Sequence, residues 1–292
     1  MKLIDGKLIA EEIKGEIRRK TAEIDEKTGK VPHLAAILAG EDPASLTYIK
    51  NKEKACKECG IISSVYKFSE QVTEKQIMDT IDFINHDEEI NGLIVQLPLP
   101  SQINSLQVIE KINPAKDVDG FHPINLGRML IGEEAMLPAT PAGIIELIRR
   151  YQIETEGKHC VVLGRSNIVG TPVSVLMGRK SYPGNATVTL CHSKTNNLKD
   201  IVLQADILIA AIGQPEFVTA DMVKDGAVVI DVGIHRIPAD NKNGFRLIGD
   251  VKFDEVAPKC SYITPVPGGV GPMTIVSLLM NTMKSFEKSL QT

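Results

Sequence analysis

Tyr48 and Lys52 stand four residues apart in a stretch, residues 45–52, that follows a turn at Glu41-Asp42-Pro43 and reads as helical. That spacing places both side chains on one helix face about one turn apart, close enough for a phenol to orient an ammonium. A lysine held in this way is suited to proton transfer at a reacting centre. Gln96 closes an apolar run, residues 92–96, and Pro98 and Pro100 behind it stop a strand and fix the loop. Its amide donates and accepts at once. Residues 114–120, Pro-Ala-Lys-Asp-Val-Asp-Gly, present Asp117 and Asp119 in a turn, suited to the amide and amine edge of a heterocycle. Residues 265–274, Pro-Val-Pro-Gly-Gly-Val-Gly-Pro-Met-Thr, make a rigid loop whose backbone could line the same site. Each piece alone has a bland alternative: an exposed lysine beside a half-buried tyrosine, an Asp-Gly turn chosen for local reasons, or a helix-entry loop. Their combination favours a catalytic lobe.

A second constellation lies at residues 160–170, Cys-Val-Val-Leu-Gly-Arg-Ser-Asn-Ile-Val-Gly. It reads as a buried strand, a tight turn at Gly164 and a helix opening near Val169, a unit that points backbone N–H groups and the positive helix end at a phosphate. The pattern departs from Gly-x-Gly-x-x-Gly, because Ser166 takes the second glycine position and the last glycine comes one residue late. Glycine turns of this kind also join strands to helices where no nucleotide binds. The next strand ends in residues 190–195, Leu-Cys-His-Ser-Lys-Thr, with no acid where an NAD site would hold the ribose 2′-hydroxyl. With Arg165 in the turn and Ser193 and Lys194 here, NADP is favoured. Gly213 and Gly233 end the two apolar runs that follow, where glycine admits a ligand close to the backbone, and Ile234 could cover the cofactor. Ordinary strand termination explains either glycine taken alone.

The elements that must position these residues alternate. Apolar, β-rich runs at 34–38, 61–68, 92–96, 160–164, 187–191, 207–211 and 228–232 are separated by segments with helical periodicity, such as Ile77, Ile81 and Ile84. This predicts an α/β fold with parallel sheets. A boundary is expected near residue 140, where the polar, glycine-containing stretch 127–134 ends and Thr140 and Pro141 offer a cap and a first helical turn. The expected domains are an N-terminal α/β/α catalytic domain, residues 1–139, and a Rossmann-like NADP-binding domain, residues 140–271. The last helix, residues 272–292, carries Ile275, Val276, Leu278, Leu279, Met283 and Phe286 as one apolar stripe and is expected to return to the first domain.

The 292 residues are 43% hydrophobic and 24% charged, which is the composition of an ordinary globular chain of two modest domains. A formal charge of −4 supplies no positive field for nucleic acid. The apolar runs fall far short of the roughly 20 residues of a membrane span, and the first residues, Met1-Lys2-Leu3-Ile4-Asp5, lack a secretory pattern. No membrane partner and a cytoplasmic location are expected. The five cysteines, Cys56, Cys59, Cys160, Cys191 and Cys260, are odd in number and scattered, so reduced thiols are expected. Cys56 and Cys59 form a Cys-x-x-Cys with no second pair, and no metal site is expected.

Taken together, Tyr48-x-x-x-Lys52, residues 95–100 (Val-Gln-Leu-Pro-Leu-Pro), 116–121 (Lys-Asp-Val-Asp-Gly-Phe), 164–172 (Gly-Arg-Ser-Asn-Ile-Val-Gly-Thr-Pro) and 265–274 resemble, in order, the bifunctional methylenetetrahydrofolate dehydrogenase and methenyltetrahydrofolate cyclohydrolase family, known as FolD. The resemblance covers nearly the whole chain. It implies NADP-dependent oxidation of 5,10-methylenetetrahydrofolate to 5,10-methenyltetrahydrofolate and hydrolysis of the latter to 10-formyltetrahydrofolate. Carried over by position, Lys52 is the central cyclohydrolase residue, assisted by Tyr48 and Gln96, and Asp119 holds the pterin. The same resemblance places Tyr48, Gln96, Leu97, Asp119, Pro267, Gly268 and Gly271 at the folate, and Gly164, Arg165, Ser166, Ser193 and Ile234 at the cofactor. It further implies a homodimer formed through the nucleotide-binding domain and a place in one-carbon metabolism feeding purine biosynthesis.

Residue chemistry agrees with this. Hydride transfer needs geometry above all, while hydrolysis of an amidinium-like carbon needs proton transfers that a lysine can serve. At this length two activities are the expected ceiling, without room for an ATP-dependent formate ligase domain. Three other readings stay open on sequence. A shikimate or amino-acid dehydrogenase of the same layout is disfavoured by Tyr48, Lys52, Gln96 and Asp119. An NADP-binding sensor without turnover is disfavoured by Lys52. A dehydrogenase lacking the hydrolytic step is separated only by an assay.

Overall fold

Each of the apolar runs becomes a strand in the computed structural model, which describes residues 1–240 and 244–291, with ends displaced by at most one residue from expectation. The chain divides into two units, one of Glu11–Ala139 with Ile275–Thr292 and the other of Met1–Ala10 with Thr140–Thr274.

In the first unit His33–Ala39 is the middle strand of a parallel three-stranded sheet, flanked by Ile62–Phe68 and Gly92–Val95. The middle and Gly92–Val95 strands are apolar almost throughout because helices cover both faces of such a sheet. Helix Glu74–His86 opens on a capping box between Thr73 and Gln76 and turns Ile77, Ile81 and Ile84 into the core with Ile37, Leu93 and Val95. Full burial of each isoleucine contributes roughly 1.5–3 kcal/mol. Residues 127–131, read on sequence as part of a polar, glycine-containing stretch, belong to helix Pro123–Ile131. His122 caps it, with Nδ1 accepting from Ile124 N at 3.1 Å, and Pro123 fits the first turn where no N–H is needed.

The second unit holds a six-stranded parallel sheet in the order Lys2–Leu3, Tyr262–Ile263, Val228–Asp231, Ile207–Ala210, His159–Leu163, Thr187–Cys191. Chain order reverses at His159–Leu163, which has Ile207–Ala210 on one side and Thr187–Cys191 on the other. Ligands of open α/β sheets lie beyond the carboxyl ends of strands at such a point. A separate antiparallel hairpin pairs His235–Pro238 with Phe245–Ile248.

Residues 1–10 were expected with the first domain but group with this second sheet. Lys2 and Leu3 add a parallel edge strand to Tyr262 and Ile263, and Lys2 N donates to Ser261 O at 2.7 Å. Two-residue strands carry no periodicity that a sequence could show. The last helix runs Val270–Ser289, and its residues from 275 onward group with the first unit. Helix Ala139–Arg150 starts before Thr140, whose hydroxyl is not a cap but lies 3.0 Å from the Thr274 hydroxyl.

No helix of the described residues is long and apolar enough to cross a membrane, and the described residues contain no cluster of three or more side chains able to hold a metal. The five cysteines are free and buried. Burial pushes the Cys56 and Cys160 thiols up to about 12 and those of Cys59 and Cys260 up to about 11, so they are poor nucleophiles and metal ligands at neutral pH.

Candidate functional site

In the first unit, Asp42 caps helix Pro43–Glu58 by accepting from Ser45 N at 2.7 Å, and Pro43 occupies the first turn. This helix carries Tyr48 and Lys52 one turn apart. Lys52 Nζ donates to Gln96 Oε1 at 3.3 Å, and Gln96 Nε2 donates to Leu97 O at 2.8 Å. Gln96 N also donates to Ile37 O, so its backbone continues the ladder past the end of Gly92–Val95 and its amide has a single orientation. The oxygen faces the ammonium. Tyr48 is 44% exposed, and among the described residues its phenol bonds to neither Lys52 nor Gln96.

Asp117 and Asp119 are separated only by Val118 but differ in surroundings. Asp117 is 1% exposed and accepts from His122 N and Asn125 Nδ2, both at 2.8 Å, and from Phe121 N at 3.3 Å. It ties the loop to the start of helix Pro123–Ile131. Asp119 lines a small crevice with Val95, Leu97 and Phe121. Burial pushes its carboxyl above the usual range, the nearby Lys52 charge opposes that, and the Asp117 charge adds to it. Lys52 and Asp119 thus act electrostatically on one another.

The loop carrying Asp119 is held by four residues to which sequence reading gave no such role. Lys116 Nζ donates to Ile84 O at 2.8 Å and Asp87 O at 2.6 Å, at the carbonyl end of helix Glu74–His86. Asn281 Nδ2 donates to Val118 O at 2.8 Å and Leu137 O at 2.9 Å, and Ser285 donates to Ala115 O at 2.9 Å. Gly120, at φ +73°, packs against residue 137 so closely that a Cβ would lie 2.4 Å from the Leu137 carbonyl carbon. Nothing in local spacing could reveal Asn281, which is 163 positions from Val118.

In the second unit, Gly164 follows the strand at the reversal point with φ +107°, and a Cβ there would lie 2.0 Å from Ala211 O. A Cβ on Gly170 would lie 1.9 Å from Gly164 O. Gly164 lets the turn lie against the neighbouring strand end, and Gly170 lets the helix start lie against the turn, as a phosphate-binding turn requires. Ser166 Oγ accepts from Val169 N at 3.2 Å and Gly170 N at 3.4 Å, tying the turn to the start of helix Gly170–Gly178. Arg165, Ser166, Ser193 and Lys194 are exposed. Leu163 and Cys191 are register partners, which puts Arg165 and Ser193 just beyond two adjacent strand ends. The turn after Cys191 is fixed by Thr195 Oγ1 accepting from His192 N at 2.9 Å and by His192 Nδ1 accepting from Lys194 N at 3.2 Å. Ile234 is 45% exposed, and a Cβ on Gly271 would lie 3.2 Å from its Cδ1. Gly268, at φ +106°, uses its carbonyl to accept from Lys7 N at 2.9 Å, with Pro267 exposed beside it.

Two buried acids in this unit were also not singled out. Asp231 accepts at 2.9 Å from each of Gly233 N, Asp250 N and Val251 N. Burial pushes its carboxyl up to about 7 against those three donors, which favour the charged form. Asp250 accepts from Ile212 N at 2.8 Å, Gly213 N at 3.0 Å and His235 Nε2 at 2.7 Å.

One unit therefore offers a lysine–amide–carboxylate set, and the other a glycine turn with a basic rim and no acid. Residues 4–119 match the family model of the tetrahydrofolate dehydrogenase/cyclohydrolase catalytic domain, and residues 138–290 match that of its NAD(P)-binding domain. The chain belongs to the tetrahydrofolate dehydrogenase/cyclohydrolase family. Within it, the bifunctional protein FolD of Cytophaga hutchinsonii is 60% identical over 286 residues, which are 98% of this chain and 99% of that protein. The crystal structure of the bifunctional enzyme FolD from Campylobacter jejuni is similar with a TM-score of 0.93 at 47% identity, covering 99% of both chains. That of the Trypanosoma brucei dehydrogenase-cyclohydrolase, complexed with NADP cofactor and inhibitor, gives 0.94 at 37% identity, covering 99% of this chain and 98% of its own.

Proposed function

We propose that this chain oxidises 5,10-methylenetetrahydrofolate to 5,10-methenyltetrahydrofolate with NADP and hydrolyses the product to 10-formyltetrahydrofolate. The observation that carries the reading is the Lys52–Gln96 pair, 3.3 Å apart and electrostatically coupled to Asp119, in a chain whose other unit has a glycine cradle rimmed by Arg165 and Lys194. NADP fits that cradle. Side chains at Gly164 and Gly170 would collide with the backbone that forms it, the helix start at Gly170 favours an anion, and the exposed cations answer a 2′-phosphate where an NAD site would hold an acid.

When bound, NADP supplies the hydride acceptor for the folate methylene carbon. The chain supplies position. Asp119 accepts from the pterin edge, while Leu97 and Gln96 bound the same side of the substrate. The family resemblance assigns the backbone of Pro267, Gly268 and Gly271 to the folate and Ile234 to the cofactor. No side-chain base is needed for the oxidation, because the electron pair of the ring nitrogen drives hydride departure.

Hydrolysis needs more of the side chains. Water adds to the electron-poor methenyl carbon, the added water loses a proton, and the bond from that carbon to the ring nitrogen breaks as the nitrogen gains one. Lys52 stands at the end of a hydrogen bond that fixes its direction, so it serves these proton transfers with Gln96 setting its orientation. Tyr48 shares the exposed face of the same helix and completes the enclosure when substrate is bound.

The family resemblance also supports a homodimer joined through the nucleotide-binding unit, a cytoplasmic location, and supply of one-carbon units to purine biosynthesis. Light scattering on the purified chain tests the dimer. A spectrophotometric assay tests the chemistry: NADP-dependent reduction with methylenetetrahydrofolate, then enzyme-dependent loss of methenyl absorbance with methenyltetrahydrofolate alone. Reduction without hydrolysis would leave a dehydrogenase only, and silence in both would remove the enzymatic reading.

A further inference from the structure

The turn that meets the cofactor phosphates does not stand on its own helix alone. Gly164 lies flat against the Ala211 carbonyl, closely enough that no Cβ fits between them. The next two N–H groups in that strand end, Ile212 and Gly213, both point at Asp250 Oδ2. Asp250 Oδ1 receives His235 Nε2–H at 2.7 Å from the hairpin strand His235–Pro238, and the Asp250 N–H is itself held by Asp231. Asp231 also holds Gly233 N–H, the residue before Ile234. Asp250 is wholly buried, and His235 is intermediate, so the carboxylate has no water to replace these donors. Gly233 leaves room for it: a Cβ there would fall 2.3 Å from Asp250 Oδ1. The Asp250 carboxylate therefore sets the backbone after Ile207–Ala210, the strand beside the reversal point, while the Asp231 carboxylate sets the backbone after Val228–Asp231, one strand further out.

We propose that Asp250, assisted by His235, is a positioning residue for the cofactor, acting on the dehydrogenase step and not on hydrolysis. The proposal rests on the two-activity reading above, and that reading provides its control. Hydrolysis of methenyltetrahydrofolate uses Lys52 and Gln96 in the other unit and transfers no hydride. Asp250→Ala leaves the Ile212 and Gly213 N–H groups without an acceptor, which lets the support under Gly164 move. Asp250→Asn can keep its oxygen toward these N–H groups and turn its amide toward a His235 tautomer that accepts.

The experiment is a set of steady-state assays on the full chain, with NADP binding followed separately by fluorescence titration. Asp250→Ala is expected to raise the KM and Kd for NADP on the order of tenfold, which corresponds to about 1.4 kcal/mol. Methenyl hydrolysis without NADP should stay within about twofold of the unsubstituted chain, and Asp250→Asn should recover most of the NADP affinity. Unchanged NADP affinity in Asp250→Ala would overturn the proposal, and so would an equal loss of both activities, which marks a purely structural role. If Asp250→Ala does not fold, His235→Ala decides: it should raise the NADP KM about threefold, and no change would overturn the proposal. Absence of NADP-dependent turnover in the unsubstituted chain would instead strike the underlying functional reading.

Discussion

Around Lys52 the site consists of side chains fixed by other side chains and by backbone carbonyls, whereas around Gly164 it consists of backbone fixed by buried carboxylates. Lys52, Gln96 and Asp119 offer functional groups directly. Gly164 and Gly170 offer none and work by letting chain segments approach. A side-chain site fails when a group is removed. A backbone site fails when a group is added, or when its distant support is removed.

The sharpest way to break this comparison is to add one side chain to the turn. Gly164→Val should lower NADP-dependent turnover by a factor on the order of 100 or more, because overpacking here would push directly on Ala211 O. Methenyl hydrolysis should survive, and an NADP titration beside the hydrolysis assay reads both. The converse is Lys52→Met, which should lower hydrolysis by roughly 10²–10⁴-fold, the usual contribution of a positioned acid or base. Its NADP affinity should not change, and an unimpaired hydrolysis rate would remove Lys52 from the mechanism.

Smaller effects sharpen the same contrast. Arg165→Ala should raise the NADP KM by about tenfold and leave the NAD KM nearly unchanged, in line with the loss of one charge-assisted contact. Equal changes for both cofactors would show that the 2′-phosphate is met elsewhere. Asn281→Ala removes donors from Val118 O and Leu137 O, and it should cost about 1–3 kcal/mol of stability. It should also raise the KM for methenyltetrahydrofolate without moving that for NADP, since Val118 adjoins Asp119. Urea unfolding and the two assays together decide this.

The same contrast explains what could be read from the sequence. Lys52, Gln96 and Asp119 sit in short strings whose residue types announce chemistry, and Gly164 and Gly170 announce a turn by spacing. The long strands were legible because their runs are apolar and bounded by glycine, proline or polar residues. Asn281, Asp231 and Asp250 were not, because a support acts across chain distance: Asp250 is 38 positions from Ile212. Lys116 and Asp117 lay inside a recognised motif, yet composition alone could not separate Asp117, held by backbone and amide donors, from Asp119, whose carboxyl burial pushes up beside Lys52. The pairing of Lys2 and Leu3 with the second sheet was not legible for a related reason, since two-residue strands depend entirely on the neighbour they meet.

The bracket formed by Asn281 has a consequence for synthesis. Val118 leaves the ribosome 163 residues before the side chain that holds its carbonyl. At about 5–20 residues per second that interval is roughly 10–30 s, during which the loop carrying Asp119 has Asp117 and Lys116 but lacks Asn281 and Ser285. The sheet of His33–Ala39 and its neighbours can form early, while the site it carries matures only when helix Val270–Ser289 arrives. The loop that carries Asp119 thereby gains its Asn281 and Ser285 bonds only near the end of translation.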